Sequence, residues 1–323
     1  MKRAKIEKGF VEKGRREGTS TCPGLDVFAS PTAHETVPAA ARNIQLPPAW
    51  QSLGGSSGTG WHYYSDLIAC PQRSYYRHTL NIVPVTTSKA LVIGSLIHLA
   101  LALYYKFKLP LVESFEAMWR SPDLPAAYRV EGEQADEIKA VCLRVLTGYA
   151  ETYKDDHQRY EVLAVEEVAK TTLGGFPVSC RFDLVLREKN SFRISIIDHK
   201  TTSAMTSEFS QGFSFDGQLL FLPICWNATL GKTYGPPATI VINALVKTRV
   251  PQFSRMTYPV ANGAKLEEFK RQFVKLVRGV KGKEPIKLGL YNGACRSPYI
   301  CSYLPICENG WEIVCDEYRV EKP

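Results

Sequence analysis

Three charged side chains stand where strand-like runs would ordinarily carry apolar ones. Asp183 lies in Cys180-Arg181-Phe182-Asp183-Leu184-Val185, and Asp198 and Lys200 lie in Ile196-Ile197-Asp198-His199-Lys200-Thr201. A carboxylate among apolar neighbours is costly to bury unless a cation or a partner meets it. Residues two apart point to the same face of a strand, so Asp198 and Lys200 share a face. With Asp183 on the neighbouring strand of a hairpin, two carboxylates and an ammonium converge. That set suits metal-assisted phosphodiester cleavage. The carboxylates can hold Mg²⁺ or Mn²⁺ through hard oxygen ligands. Such an ion lowers the pKa of a bound water and offsets charge building on the phosphate, and the lysine can orient or help deprotonate that water. A buried Asp–Lys ion pair at a strand end is the structural alternative for the same spacing.

The elements that must position these groups follow from hydrophobic period. Thr87–Lys106 reads as a buried helix, apolar nearly all round apart from His98. Glu131–Tyr153 reads as a second helix with Ile138, Val141, Val145 and Tyr149 on one face. The period then changes. Tyr160–Ala169, Pro177–Arg187 and Phe192–His199 are strand-like runs with short polar or glycine-containing links. Phe215–Ala228 is helical with Pro223 inside it, Ala238–Val250 is another strand, and Ala264–Val280 is a helix. That last helix places Phe269, Phe273, Leu276 and Val280 inside and a Lys/Arg face outside. The order implies an α/β fold, mixed α+β in character, with a central mixed sheet flanked by helices.

Further polar residues fall in the same order along the chain. His98 sits in Gly94-Ser95-Leu96-Ile97-His98-Leu99, Glu166 and Glu167 lie on the strand before Asp183, and Gln218 opens Gln218-Leu219-Leu220-Phe221-Leu222. A lone histidine on such a helix is ordinarily a satisfied core residue. Taken together, the series His, Glu, Asp, Asp-x-Lys, Gln resembles the PD-(D/E)XK nuclease superfamily. More narrowly it resembles the RecB-like branch, which includes the AddB nuclease domain and CRISPR-associated exonucleases. The resemblance runs from about Tyr64 to Cys307 and implies a restriction-endonuclease-like core. It also implies roles. Asp183, Asp198, Lys200 and Gln218 would be catalytic. His98, Asp183, Asp198 and the main-chain carbonyl of His199 would hold Mg²⁺ or Mn²⁺, with Glu166 a weaker candidate because Glu167 beside it points to the opposite face. Two positions depart from the family pattern: Cys180 stands for the glycine before Arg181, and Leu222 for the tyrosine of the glutamine motif.

Cys295, Cys301 and Cys307 recur six apart in a proline-containing, loop-like segment. In a reducing compartment such spacing points to thiolate ligation, and Cys70, in Ala69-Cys70-Pro71, can complete a set of four. The RecB-like resemblance implies a structural 4Fe-4S cluster clipping Cys70 to the C-terminal segment 295–307. Zinc in a four-cysteine site and unligated thiols are the alternatives, although the closely paired Cys-x₂-Cys knuckles of zinc ribbons are absent. The other cysteines read as ordinary small hydrophobes.

The chain has 323 residues, 45% of them hydrophobic and 22% charged, enough to build a core and too apolar for wholesale disorder. Lys and Arg number 40 against 32 Asp and Glu, a net charge of +8 that permits a polyanionic partner. Residues 1–60 read as a basic, polar tail ending in Gly54–Gly60, and 61–323 as a single domain. Neither a secretory signal nor a membrane-spanning run is expected, which suggests a cytoplasmic protein with no membrane partner. Lys247, Arg249 and Arg255 with the basic helix face, together with Arg73 and Arg181, are candidates to track phosphates. No phosphate-loop motif for self-driven unwinding occurs, so a helicase, recombination or adaptation partner is conceivable. The leading expectation is a divalent-metal-dependent deoxyribonuclease, an exonuclease on single strands or DNA ends, of the kind that serves DNA repair, CRISPR adaptation or phage DNA processing. A non-catalytic nucleic-acid-binding protein that keeps fold and cluster is the alternative.

Overall fold

Two long strands joined by a Gly174-Gly175 turn organise the computed structural model, which describes residues 46–47, 50, 58–85, 88–125, 128–130, 132–296, 300–310 and 315–320. Most of the predicted tail, residues 1–60, lies outside them, but Leu46 and Trp50 pack on the core, so ordered chain precedes Trp61. In order the elements are α1 (Trp61–Ala69), α2 (Pro71–Ser74), a π turn (Tyr75–Thr79), β1 (Ile82–Pro84), α3 (Lys89–Phe107), α4 (Leu111–Arg120), α5 (Glu133–Thr152), α6 (Asp156–Arg159), β2 (Tyr160–Leu173), β3 (Phe176–Glu188) and β4 (Ile194–Thr202). There follow α7 (Ser207–Gly212), α8 (Gln218–Ala228), α9 (Gly231–Tyr234), β5 (Thr239–Val246), β6 (Gln252–Pro259), α10 (Gly263–Val280), α11 (Gly289–Asn292), α12 (Leu304–Asn309) and β7 (Tyr318–Val320).

The five-stranded sheet runs β2-β3-β4-β5-β6. Only β4 and β5 are parallel; the other pairs are antiparallel. A parallel pair needs a long crossover, and the segment carrying α7, α8 and α9 supplies it. The predicted mixed sheet flanked by helices is therefore present. Alternation puts one row of strand residues against each helical layer. Val165, Leu184, Leu186, Ile197, Val241 and Leu245 pack with α3, α4 and α5. Phe182, Val185, Ile196, Ile240 and Ile242 pack with α1, α8 and α10. A smaller core of Ile82, Tyr303, Ile306 and Tyr318 closes around the β1–β7 pair.

α3 is apolar on nearly every face because it is enclosed. Ser88 caps it by accepting from Leu91 N–H at 3.3 Å, and Leu96, Ile97, Ala100, Leu101 and Leu103 are fully buried. By length and composition it would also pass for a membrane span, but its apolar faces are used against α4, α5 and the sheet. Two readings of pattern differ from the structure. Leu276 is half-exposed, because the buried line of α10 is Leu266, Phe273 and Val277. Leu276 precedes Val277 by one residue and is turned about 100° away. The edge strand β6 was not expected, its Phe253-Ser254-Arg255-Met256 stretch lacking a clean apolar alternation.

Candidate active site

The site is a fork in the sheet. β3 and β4 pair from Arg187↔Ile194 to Leu184↔Ile197 and no further. The next rung would have set Asp183 opposite Asp198, so the two carboxylates stand at the point where the strands part. The ladder is replaced there by a side chain: His199 N–H donates to Asp183 Oδ2 at 2.9 Å. Like charges facing each other across a closed rung would repel; parting the strands leaves a space between them that a cation can fill.

β2 adds a third carboxylate. Val165 pairs with Leu184 and Glu167 with Phe182, but Glu166, opposite Asp183, drops out of the ladder. Its φ is +50°, a left-handed value that costs energy for a residue with a Cβ. That rotation settles which of the adjacent glutamates faces inward: Glu166 turns to the site and Glu167 to solvent. His98 comes from α3. Its Nδ1 is 3.5 Å from Asp183 Oδ2, and donor atoms of His98, Glu166 and Asp183 lie within 4.8 Å of one another. Among the described residues no other three His, Cys, Asp or Glu side chains do so. One imidazole and several hard oxygens form a donor set suited to Mg²⁺ or Mn²⁺.

The electrostatics agree with that donor set. Burial first, then the Asp183 charge, push Glu166 up to about 7. Burial and Asp198 likewise hold Asp183 above the usual carboxylate range, against the opposing pull of His98. Carboxylates crowded in this way are stabilised by a cation among them.

Opposite them, Asp198 is held from two sides. Gln218 Nε2 donates to its Oδ1 at 2.9 Å, and Lys200 Nζ lies 2.6 Å from its Oδ2. Gln218 is placed by the start of α8, where Asp216 accepts its N–H at 2.8 Å. Burial alone would lower the Lys200 pKa, but Asp198 and Asp183 outweigh it and raise it. The predicted set Asp183, Asp198, Lys200, Gln218, His98 and Glu166 thus meets in one place, with His199 between the carboxylates.

Sequence reasoning missed what lies beneath. The His199 ring is buried, stacks on Tyr105 and meets the His98 ring edge-on at 5.7 Å between centroids. Its Nδ1 pairs with Asn243 Nδ2 at 2.8 Å, and that amide also donates to Tyr149 Oη at 2.9 Å. Tyr149 and Tyr105 lead on to the Asp156–Arg255 ion pair. A single asparagine in the apolar run Ile240-Val241-Ile242-Asn243-Ala244 was the available signal. Arg255 therefore turns inward rather than joining a phosphate-tracking face. Of the other basic candidates, Arg181 contacts Glu166 at 3.3 Å, Arg73 contacts Asp66 at 2.9 Å, and Lys247 Nζ donates to Thr201 Oγ1 at 3.4 Å. Arg249 is exposed.

Two of the four predicted cysteines also approach one another. Cys70 joins α1 to α2, and its sulfur lies with that of Cys295 around Gly289, where a Cβ would come within 2.8 Å of Cys295 Sγ and 3.6 Å of Cys70 Sγ. Burial first raises the Cys307 thiol pKa, with Cys70 and Cys301 adding to the rise. The Cys295 thiol is raised by burial and then by Cys301 and Cys70. No three of these sulfurs lie within 4.8 Å of one another.

A model of the PD-(D/E)XK nuclease superfamily matches residues 63–308. No curated protein matches the sequence. Among solved structures, a chain from Eubacterium rectale provisionally described as an exonuclease aligns at 14% identity and TM-score 0.46, over 83% of this chain and 100% of that one. A protein called SSO0001 aligns at 12% identity and TM-score 0.29, over 76% of this chain and 95% of the other.

Proposed function

This chain belongs to the PD-(D/E)XK nuclease superfamily, and on that footing we propose that it hydrolyses phosphodiester bonds of DNA with a divalent cation held at the fork between β3 and β4. The observation that carries the reading is the meeting of His98, Glu166 and Asp183 within 4.8 Å at the parting of the strands, with Lys200 on Asp198 beside them. His98, Glu166, Asp183, Asp198 and the carbonyl of His199 would hold the ion. When bound, it would supply a water of lowered pKa and counter charge on the phosphate. The protein's own groups do the positioning. Gln218 and Lys200 each occupy one oxygen of Asp198 and so fix its rotamer. The Lys200 ammonium stands where it can orient the attacking water and bear on the phosphoryl charge.

Lys200→Ala is expected to lower Mg²⁺- or Mn²⁺-dependent cleavage of labelled DNA by about 10²–10⁴-fold, the usual range for a positioned proton-handling group. A variant as active as the wild type would overturn the assignment. Assays on single strands, blunt duplexes and closed circles would test the finer reading, which rests on the RecB-like resemblance: an exonuclease acting on single strands or ends, with residues 61–323 as one nuclease domain and strands delivered by a separate unwinding partner.

The same reading includes a 4Fe-4S cluster on Cys70, Cys295, Cys301 and Cys307. Thiolates around a single tetrahedral zinc sit about 3.8 Å apart, as Zn–S bonds of roughly 2.3 Å require. No three of these sulfurs come within 4.8 Å of one another, and the cluster rests on the RecB-like resemblance. Protein purified without oxygen should be brown, and Cys70→Ala should lose colour and bound iron. Full iron content in that variant, or stoichiometric zinc in the wild type, would sink the cluster.

A further inference from the structure

A charged cluster beside the fork is left over by this mechanism. α1 carries His62 in its first turn and Asp66 four residues on, so the two share a helix face. Asp66 is 7% exposed, and its carboxylate is met by Arg73 at 2.9 Å, Arg77 at 3.2 Å and His78 at 3.1 Å. One carboxylate facing two guanidiniums leaves positive charge in excess. It falls to Arg77 to present it, because the Arg77 side chain is 51% exposed and that of Arg73 23%.

The other end of the cluster reaches the catalytic groups. Trp61 lies so close to Gly217 that a Cβ there would come 2.2 Å from its ring. Gly217 directly precedes Gln218, the residue bound to Asp198. The first turn of α1 therefore abuts the fork. His62 is exposed and stands next to Trp61 on the face of α1 that carries Asp66. Loss of surrounding water, then Lys200 and Arg77, lower its pKa. Arg77 acts in turn on Tyr303, between Cys301 and Cys307. Trp61 thus ties the first turn of α1 to the fork, and Asp66 ties Arg77 to the same helix.

We propose that His62 and Arg77 form a second phosphate subsite, which holds the phosphodiester next to the scissile one where the strand leaves the fork toward the cysteine segment. The ligand is an anionic phosphodiester oxygen of a nucleic-acid strand, bound without regard to sequence. Asp66 anchors one edge of the Arg77 guanidinium, so the planar fork is oriented before a strand arrives and loses little freedom on binding. This deepens the nuclease reading and rests on it. His62 and Arg77 are positioning residues: they set which linkage lies over Lys200.

The test is equilibrium binding of a fluorescent single-stranded oligonucleotide in Ca²⁺ across a salt series, with cleavage in Mg²⁺ followed in parallel. Each lost contact to a single strand lowers the steepness of log affinity against log salt by about 0.7. Arg77→Gln should show that drop and Arg77→Lys should restore it, whereas His62→Gln, which removes a neutral donor, should weaken binding without changing the steepness. A neutral methylphosphonate walked along the strand should weaken wild-type binding at one linkage beside the cleaved one, and Arg77→Gln should be indifferent to it there. His62→Gln alters an exposed side chain and guards against misfolding of the Arg77 variant. Wild-type protein that cleaves DNA, with salt steepness and methylphosphonate response unchanged in Arg77→Gln and affinity unchanged in His62→Gln, overturns the subsite alone. Wild-type protein that binds no strand overturns the subsite and the nuclease reading together.

Discussion

Asp183→Asn is expected to lower DNA cleavage by about 10³-fold or more while the melting temperature of the metal-free protein stays level or rises. The two halves have one cause. Asp183 is crowded by Glu166 and Asp198, and burial with the Asp198 charge raises its pKa. The asparagine keeps the size, and its oxygen can still accept from His199 N–H, the bond that replaces the missing rung. Repulsion is removed and the fold is retained. A neutral amide is, however, a poor ligand for a hard dication and cannot offset its charge. Losing about 4 kcal/mol of transition-state stabilisation is a thousandfold in rate, within the several kcal/mol that a catalytic ion contributes. Thermal melts with and without Mn²⁺ and a cleavage time course would check both halves. A melting temperature that collapses in Asp183→Asn would instead mark the carboxylate as a structural ion-pair partner.

Arg255→Met should do the reverse to stability. Arg255 and Asp156 form an ion pair enclosed by Tyr105, Tyr149 and Tyr153, with the Arg255 guanidinium 3.8 Å from the centre of the Tyr153 ring. Removing one partner strands the other charge in the interior, which costs about 3–5 kcal/mol. In a domain of this size that corresponds to a fall of roughly 10 °C in melting temperature. Asp156→Leu combined with Arg255→Met should recover much of the loss, because a buried pair replaced by apolar groups of similar volume is often nearly neutral. Urea titration of the wild type, the single variant and the double variant reads this directly. A single variant melting within a degree of wild type would show that the pair is solvated. Because the network ends on Asn243 and the His199 ring, the single variant should also lose activity beyond its loss of folded protein.

The carboxylates at the fork were legible because they break a local pattern. A strand that is apolar on both faces has no local reason to carry Asp183, Asp198 or Lys200, and spacing of two places the last pair on one face. The layers were legible for the same reason, since α3, α5 and the strands differ in hydrophobic period over stretches of ten residues or more. Edge strand β6 was not, because one of its faces meets solvent and its inward Arg255 looks like a surface residue in one dimension.

The sequence by itself determined the kinds of groups present and the elements that bear them: a lysine two residues from an aspartate, a histidine on a buried helix, three cysteines six apart. Tertiary structure decided how they meet. Whether Glu166 or Glu167 faces the fork depends on a positive φ that only the surrounding sheet can enforce. Which rung of β3–β4 is the last is a matter of register. The approach of Cys70 to Cys295 depends on packing at Gly289, and the placing of α1 beside Gln218 depends on Trp61 lying against Gly217. Hydrophobic period is a property of neighbours along the chain, whereas convergence of charge is a property of neighbours in space, selected by the burial of apolar faces that themselves carry no catalytic chemistry.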